Sequence, residues 1–485
     1  MENLESVEFK NYINGKWVGT DHGIYQNINP ADNDDIVGLF QDSQAEDALN
    51  ALQAAQAAFL AWKATPINKR ANILLKAADL LEERADQIGR EITREEGKLF
   101  NQARGEVMRS AQTLRFYAIE GQTYTGDTYP QDDAKMLVYS HPEPLGVVTV
   151  IAPWNFPISI PSRKIAPALI TGNSVVFKPS TDAPLSGYRL VEALADAGLP
   201  AGVLNFVTGR ASNIGSVLVS SPEVRAVTFT GSTAAGESIH RAADMGTRLQ
   251  MELGGKNPLI VMADADLDHA VQLAVQGGLS LTGQACTGTS RILVDKQVKK
   301  EFTDKLLAAV KALKVGNGFD EGVVLGPLAT KQQLKTVLEY VAIGKSEATH
   351  LMGGDRLTGP GYDNGYFVSP AVFTDVTSEM RIAQEEIFGP VLAIIEIDGY
   401  EQAIQVANDT PYGLSASIVT KDPALMHRFV NDIESGTVKI NRTTTGNLVN
   451  APFGGIKRSS TATFRESGRA GLDFFVQIKT VYQGS

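Results

Sequence analysis

Residues 136–153 read MLVYSHPEPLGVVTVIAP, and the fold class is read from this stretch and the apolar runs beyond it. Apolar and β-branched residues flank HPEPLG, whose prolines and glycine signal a turn. A hairpin starting at Met136 is therefore expected. Further along, short apolar runs recur at 147–152, 174–178, 203–207, 226–230 and 249–253. The intervals leave room for helices of about 10–20 residues. This is the βαβ rhythm of a parallel sheet covered by helices. In such sheets ligands sit at the C-terminal ends of strands, so the last residues of each run mark a candidate site.

A second alternating region opens with a strand expected at 257–262. Asp266 then caps a helix expected over 267–281. The stretch DFFVQIKTVY (473–482) reads as a strand with no obvious partner in sequence. It needs an edge to join, within the chain or on a neighbouring subunit. With the Met136 hairpin it is expected to form an oligomerisation element. The first third is helix-rich. SQAEDALNALQAAQAAFLAWK (43–63) opens with Ser43 and Glu46 in capping-box spacing. The long amphipathic stretch at 68–98 is expected to turn its charges to solvent.

Composition bounds the function. A length of 485 residues suggests about three domains. Hydrophobic residues at 43% and charged residues at 20% suit a soluble globular chain. The net charge of −11 argues against a broad nucleic-acid or anionic-membrane surface. The N-terminal MENLESVEFKNYINGKW has neither the basic nor the apolar segment of a signal peptide. The longest uncharged run, 270–290, is too rich in Gln, Ser, Thr and Gly to span a membrane. A single cysteine excludes an internal disulfide framework, and the six histidines lack zinc-site spacing. A cytoplasmic protein without structural metal is expected.

Several motifs carry chemistry, each with an ordinary alternative. No GxGxxG occurs. FTGSTAAG (229–236) places Gly231 and Gly236 between a strand and a helix, where backbone N–H groups can meet a phosphate or simply form a turn. Glu237 and Ser238 stand where a P-loop has Lys-Ser/Thr, so ATP is not expected. Lys178, in VVFKPST, ends a strand and either faces solvent or reaches a ribose or phosphate. Asn155, in IAPWNFP, is either a turn residue or an amide donor to an oxyanion. Glu252, in MELGGKNP, is a plain strand end or a general base above two glycines. Cys286 alone would be read as a core residue. Its neighbours Gly283, Gln284, Ala285, Thr287 and Gly288 are small or polar and pack a core poorly. Gly283 can end the preceding helix and leave the thiol on a loop open to substrate.

Together and in this order the motifs resemble the NAD(P)-dependent aldehyde dehydrogenase superfamily. The matching blocks are PWNFP (153–157), KPS (178–180), FTGS (229–232), ELGGK (252–256), GQACTGTSR (283–291), EEIFGPV (385–391), YGLSASI (412–418) and PFGGIKRSS (452–460). They span essentially the whole chain. The resemblance implies an α/β fold of two parallel-sheet αβα domains plus a small β oligomerisation element. Residues 1–121 and 145–254 would bind the cofactor, 255–455 would be catalytic, and 122–144 with 456–485 would oligomerise.

It also implies roles. Cys286 would attack the aldehyde carbonyl, with the Asn155 side-chain amide and the Cys286 backbone N–H holding the oxyanion. Hydride would pass from the thiohemiacetal to the nicotinamide, and Glu252 would activate water to hydrolyse the thioester. Lys178 would contact the adenosine ribose and help place the cofactor. Ile151, Pro153, Trp154, Ser180, Thr181 and Leu253 would line the cofactor site. Gly231 and Ser232 would lie near the pyrophosphate, with Glu386 and Phe388 at the nicotinamide end. Many NAD-preferring members carry a Glu three residues after the lysine, where this chain has Thr181. Glu repels a 2′-phosphate and Thr does not, so NADP is expected to be accepted as well as NAD.

Arg163 stands eight residues after Asn155, about two helical turns. It either binds a substrate carboxylate bidentately or makes a surface salt bridge. Phe156, Thr287 and Phe453 would complete the substrate site. The block GGIKRSSTATFRESGRAGLDFF is similar to dehydrogenases of 2-oxoglutarate semialdehyde (2,5-dioxopentanoate). Succinate semialdehyde and glyceraldehyde remain alternative substrates. A CoA-acylating enzyme, a cysteine esterase and a non-catalytic protein on the same fold are the other classes. A small aldehyde carrying a carboxylate is the expected partner, with a homodimer or homotetramer, and no nucleic acid, membrane or metal.

Overall fold

The computed structural model describes residues 7–461 and 463–484. The first six residues, on which the leader reading partly rests, and Ala462 in the C-terminal block lie outside the described residues. Two seven-stranded sheets dominate the fold. The first runs in the order Arg248–Glu252, Val224–Thr230, Val147–Ile151, Ser174–Lys178, Leu204–Phe206, then Asn11–Ile13 and Lys16–Val18. Its first five strands are parallel, and the last two form an antiparallel edge. The second runs Thr349–Met352, Ala371–Thr374, Val391–Ile397, Thr289–Asp295, Asn257–Val261, Ser415–Val419, Thr437–Ile440, and only its first pair is antiparallel. The central strands are near-continuous apolar runs because helices cover both faces. The alternation expected of a parallel α/β protein is therefore present twice.

Helices Ala45–Lys63, Ile67–Glu83, Ala85–Glu96, Phe100–Glu120 and Ser159–Ile170 pack around the first sheet. In the first, Ala48, Ala51, Leu52 and Ala55 recur on one face and are buried, as an amphipathic helix requires. Its cap differs from expectation by one residue. Asp47, not Glu46, reaches back, taking the amide of Gln44 at 2.9 Å. The Ser43 hydroxyl is turned instead to Asn11, accepting from its Nδ2 at 2.8 Å.

The stretch 68–98 is broken at Arg84 into two helices, which turns Ile88 and Ile92 onto the Phe100–Glu120 helix. Nor are its charges all solvated. Glu95, Glu96 and Lys98 are buried. Glu95 accepts the amides of Leu185 (2.5 Å) and Ser186 (3.0 Å) and so caps the Pro184–Asp196 helix. Charge pattern alone cannot separate a carboxylate facing water from one that caps a neighbouring helix.

The hairpin expected at Met136 does not form. Strand Met136–Pro144 continues through HPEP and joins a third, three-stranded sheet, while Val147–Ile151 enters the first large sheet. The prolines are tolerated because of where their missing donors would point. The Ser140 amide donates to Asp127 O at 2.8 Å, so alternate amides at 142 and 144 would face that same side. The flanking strand there, Thr128–Tyr129, has already ended. The other side pairs along its whole length with Val476–Gly484, so the tail strand finds its edge within the chain.

Asp266 caps the helix Leu267–Leu279 as expected, accepting from His269 N at 3.2 Å. The helix stops two residues early, and Gly283 is not its terminator. Leu281 and Thr282 take left-handed backbone, with φ of +54° and +55°. Among the described residues no helix is long and apolar enough to cross a membrane.

Candidate active site

Four strands of the first sheet end at one rim, on Ile151, Lys178, Thr230 and Glu252. From Glu252 the chain crosses through Leu253-Gly254-Gly255-Lys256 to Asn257, the first residue of a second-sheet strand. Two more second-sheet strands, Thr289–Asp295 and Val391–Ile397, begin just after Cys286 and Phe388. The cleft thus lies between the C-terminal rim of one parallel sheet and the N-terminal rim of the other.

Two cavities open into it. One, of about 470 Å³, is lined by all the residues expected to contact the cofactor. Ile151, Pro153 and Trp154 come from one strand end, and Lys178, Ser180 and Thr181 from the next. Gly231, Ser232, Leu253, Glu386 and Phe388 complete that set. The other, of about 340 Å³, is lined by Phe156, Arg163, Thr287 and Phe453, the four residues expected at the substrate. Cys286 lines both. Asn155 lines the first cavity. Glu252 is on neither wall and is buried behind them. One carboxylate oxygen receives Ser460 Oγ at 3.4 Å, and the other, Oε2, is buried without a partner.

The cysteine loop is held from several sides. Asn257 Nδ2 donates to Cys286 O (2.8 Å) and Gly288 O (2.9 Å), while its Oδ1 accepts from Ser415 N (3.0 Å). Thr282 Oγ1 donates to Gly326 O at 3.0 Å, which helps fix the left-handed pair before the cysteine. Such backbone costs about 1–3 kcal/mol per residue and persists only where surroundings over-determine it. At Gly283, φ is +73° and a Cβ would collide with Gly389 O, so the position demands glycine. Asn155 Nδ2 donates to Gln284 O at 3.0 Å, which draws the amide beside the loop and leaves its second hydrogen.

Electrostatics at the cleft are set by burial. Burial pushes the Cys286 thiol up to about 12; Arg163 opposes this, while Glu386, Glu252 and Glu466 add to it. Glu252 is held well above the ordinary carboxyl value by burial and by Glu466, against the pull of Lys164. Lys164 and Glu466 form a buried ion pair, and Lys164 also donates to Thr228 Oγ1 at 2.9 Å. Burial lowers Lys178 to about 8 and raises Glu386 to about 7.

The larger cavity fits a dinucleotide. Lys178 Nζ is buried yet has one acceptor, Pro179 O at 3.0 Å, leaving two hydrogens for a ligand. Ser232 caps the Thr233–Ala242 helix, whose N-terminus meets the cavity and suits a phosphate. Glu386 is fixed by Gly255 N at 3.0 Å. A Cβ at Gly254 would strike Glu386 Oε2, so the glycine is what lets this carboxylate lie over the crossing segment.

Arg163 makes no ion pair with any carboxylate among the described residues. Its Nε is buried without a partner, and its guanidinium lies 5.8 Å from the Phe453 ring. Asn257 and Gln333 were missed in the sequence. Gln333 Nε2 ties Ile387 O (2.9 Å) and Phe388 O (2.8 Å), and Phe388 has φ of +56°. Nothing marks Gln333 locally; Asn257 adjoins ELGGK, which was the available signal.

A cysteine shared by a dinucleotide-sized cavity and a second cavity that an arginine lines suits an oxidoreductase. Residues 17–481 match the aldehyde dehydrogenase family, and the chain belongs to it as an NAD(P)-dependent aldehyde dehydrogenase. It is 46% identical to alpha-ketoglutaric semialdehyde dehydrogenase of Bacillus subtilis (strain 168), over 99% of this chain and 98% of that one. It is 43% identical to 2,5-dioxopentanoate dehydrogenase of Saccharolobus solfataricus, over 97% and 98%. Betaine aldehyde dehydrogenase of Staphylococcus aureus in complex with NAD+ superposes with a TM-score of 0.96, at 34% identity over 99% and 95% of the two chains.

Proposed function

We propose that the chain oxidises 2-oxoglutarate semialdehyde (2,5-dioxopentanoate) to 2-oxoglutarate. The observation that carries this reading is that Cys286 forms the shared wall of the two cavities while Arg163 stands unpaired in the smaller one. The names of the two relatives support the substrate.

Arg163 takes the substrate carboxylate, with Phe156, Thr287 and Phe453 enclosing the carbon chain. Cys286 Sγ attacks the aldehyde carbon. Because burial keeps the thiol protonated, its proton passes to solvent as the C–S bond forms. The oxyanion takes the free Asn155 Nδ2 hydrogen and the Cys286 backbone N–H. When bound, the nicotinamide cofactor supplies the hydride acceptor. Loss of hydride from the adduct leaves a thioester on Sγ. Glu252, made a strong base by burial, then takes a proton from the water that displaces the thiol. Lys178, Ser180 and Thr181 hold the adenosine ribose, Gly231 and Ser232 the pyrophosphate, and Glu386 and Phe388 the nicotinamide end. Ile151, Pro153, Trp154 and Leu253 enclose the cofactor between them. Thr181 admits NADP.

Residues 1–121 and 145–254 constitute the cofactor part and 255–455 the catalytic part; 122–144 and 456–485 oligomerise. Three of the five sheets, the two seven-stranded ones and the sheet of 128–129, 136–144 and 476–484, support this division. Ile478 and Tyr482 are exposed on one face of the small sheet, which supports a homodimer or homotetramer; the cytoplasm is its proposed location. An aldehyde panel with NAD and NADP, followed by absorbance of the reduced cofactor, tests the reading. The highest kcat/KM is expected for 2,5-dioxopentanoate; a higher value for succinate semialdehyde or glyceraldehyde overturns the substrate.

A further inference from the structure

The loop that presents Asn155 rests on a buried charge cluster drawn from 96–106. Lys98 Nζ donates to Asn155 O at 2.7 Å and to Glu106 Oε2 at 2.6 Å, and lies 3.7 Å from Glu96 Oε2. The other oxygen of Glu106 accepts the amides of Ile158 (3.1 Å) and Ser159 (3.0 Å). The same ammonium sits 4.8 Å from the centre of the Phe156 ring. Residues 155, 156, 158 and 159 are therefore pinned by two side chains that are themselves paired. All three charged residues are almost wholly buried.

The cluster faces the smaller cavity, which Lys98 and Glu106 both line. Burial alone would lower Lys98, but Glu106 and Glu96 outweigh it and hold the ammonium above its ordinary value. Burial lifts Glu96 to about 8, so at neutral pH it keeps its proton. Lys98 and Glu106 thus meet in direct contact, anchored on the Asn155 carbonyl and on the Ile158 and Ser159 amides; buried polar groups paired in this way rigidify what they hold.

We infer that Lys98 and Glu106 are positioning residues that set the oxyanion amide of Asn155. The inference rests on the reading of Asn155 as the oxyanion donor. Lys98 fixes the carbonyl of Asn155 itself, and Glu106 fixes the first amides after Phe156. Between those anchors the Asn155 side chain has little freedom to leave Gln284 O and the cysteine loop. A misplacement of about 1 Å at a reacting centre costs about 10²-fold in rate.

The test is a double-mutant cycle on the full chain with NADP. Lys98→Met, and the paired Lys98→Met/Glu106→Gln that removes both charges together, are each made alone and with Asn155→Ala. kcat and KM are measured for 2,5-dioxopentanoate and for uncharged pentanal, with iodoacetamide alkylation of Cys286 as the control for an intact thiol site. In the parent background kcat is expected to fall about 10²-fold for both aldehydes, with KM within about threefold. In the Asn155→Ala background the further fall is expected to be under about threefold, because the donor being positioned is already gone. The same fold-loss in both backgrounds overturns the inference and makes the cluster merely structural. A rise in KM confined to the anionic aldehyde overturns it too, and makes Lys98 a substrate-binding residue. If Lys98→Met does not fold, the paired variant decides. Asn155→Ala on its own separates the two levels: it is expected to lower kcat about 10²–10³-fold, and unchanged kcat there removes the reading of the site itself.

Discussion

Replacing Arg163 with methionine divides the proposed substrate reading into two measurable parts. The guanidinium lines the smaller cavity, makes no ion pair among the described residues, and keeps Nε buried without a partner. A carboxylate bound there forms a charge-assisted, bidentate contact. Truncating one partner of such a pair costs about 2–5 kcal/mol. Arg163 is only half-buried, so about 2–4 kcal/mol is the appropriate range, or about 30- to 10³-fold in kcat/KM for 2,5-dioxopentanoate. A second effect acts on every substrate. Arg163 is the group that opposes burial at the Cys286 thiol, so its loss raises the thiol further, by about tenfold less thiolate per pKa unit. Pentanal, of the same chain length without the carboxylate, reports the second effect alone. The quotient of the two losses is the carboxylate contact. The assay is kcat/KM for both aldehydes with NADP, alongside the pH dependence of iodoacetamide alkylation. A quotient near one refutes the carboxylate clamp. No loss with either aldehyde refutes the placement of substrate in this cavity.

Other residues give further expected outcomes. Glu252→Gln is expected to lower steady-state kcat by about 10²–10⁴ while leaving a rapid burst of reduced cofactor, because the thioester forms but is not hydrolysed; rapid mixing that shows no burst contradicts the assignment. Thr181→Glu is expected to shift the ratio of kcat/KM for NADP over NAD by about tenfold or more towards NAD, through repulsion of the 2′-phosphate; an unchanged ratio shows that the ribose lies elsewhere. Glu96, lifted to about 8 by burial, holds a proton in the folded chain that the unfolded chain loses near the ordinary carboxyl value. It therefore makes stability fall as pH rises from about 5 to 8. Glu96→Gln should flatten that fall by about one proton, or ~1.4 kcal/mol per pH unit, measured by urea unfolding at three pH values; parallel slopes oppose it.

The large sheets were legible because a parallel strand buried on both faces announces itself. The run at 174–178 coincides with strand Ser174–Lys178, and Val147–Ile151 lies within its expected bounds. The hairpin was not legible. Pro142 and Pro144 look like a turn until the position of the neighbouring strand's end is known, and that is a tertiary fact. Lys178 and Cys286 were visible as residue types at strand and loop ends, and their motif order raised them above their ordinary alternatives. Lys98 and Glu106 were not, since a lysine and a glutamate in a charged stretch look the same whether they face water or a buried loop. The left-handed Leu281 and Thr282 carry no sequence mark either, because the carbonyl that takes the Thr282 hydroxyl comes from Gly326, distant in sequence.

The pairing of Met136–Pro144 with Val476–Gly484 joins residues 332 to 348 positions apart. At a synthesis rate of about 5–20 residues per second, the second strand is made roughly 17–70 s after the first. For that interval one whole edge of the earlier strand has no partner, although the first large sheet is fully translated once the chain reaches Glu252. Val476–Gly484 therefore acts as a timer. The sheet face carrying Ile478 and Tyr482 does not exist until that strand is made.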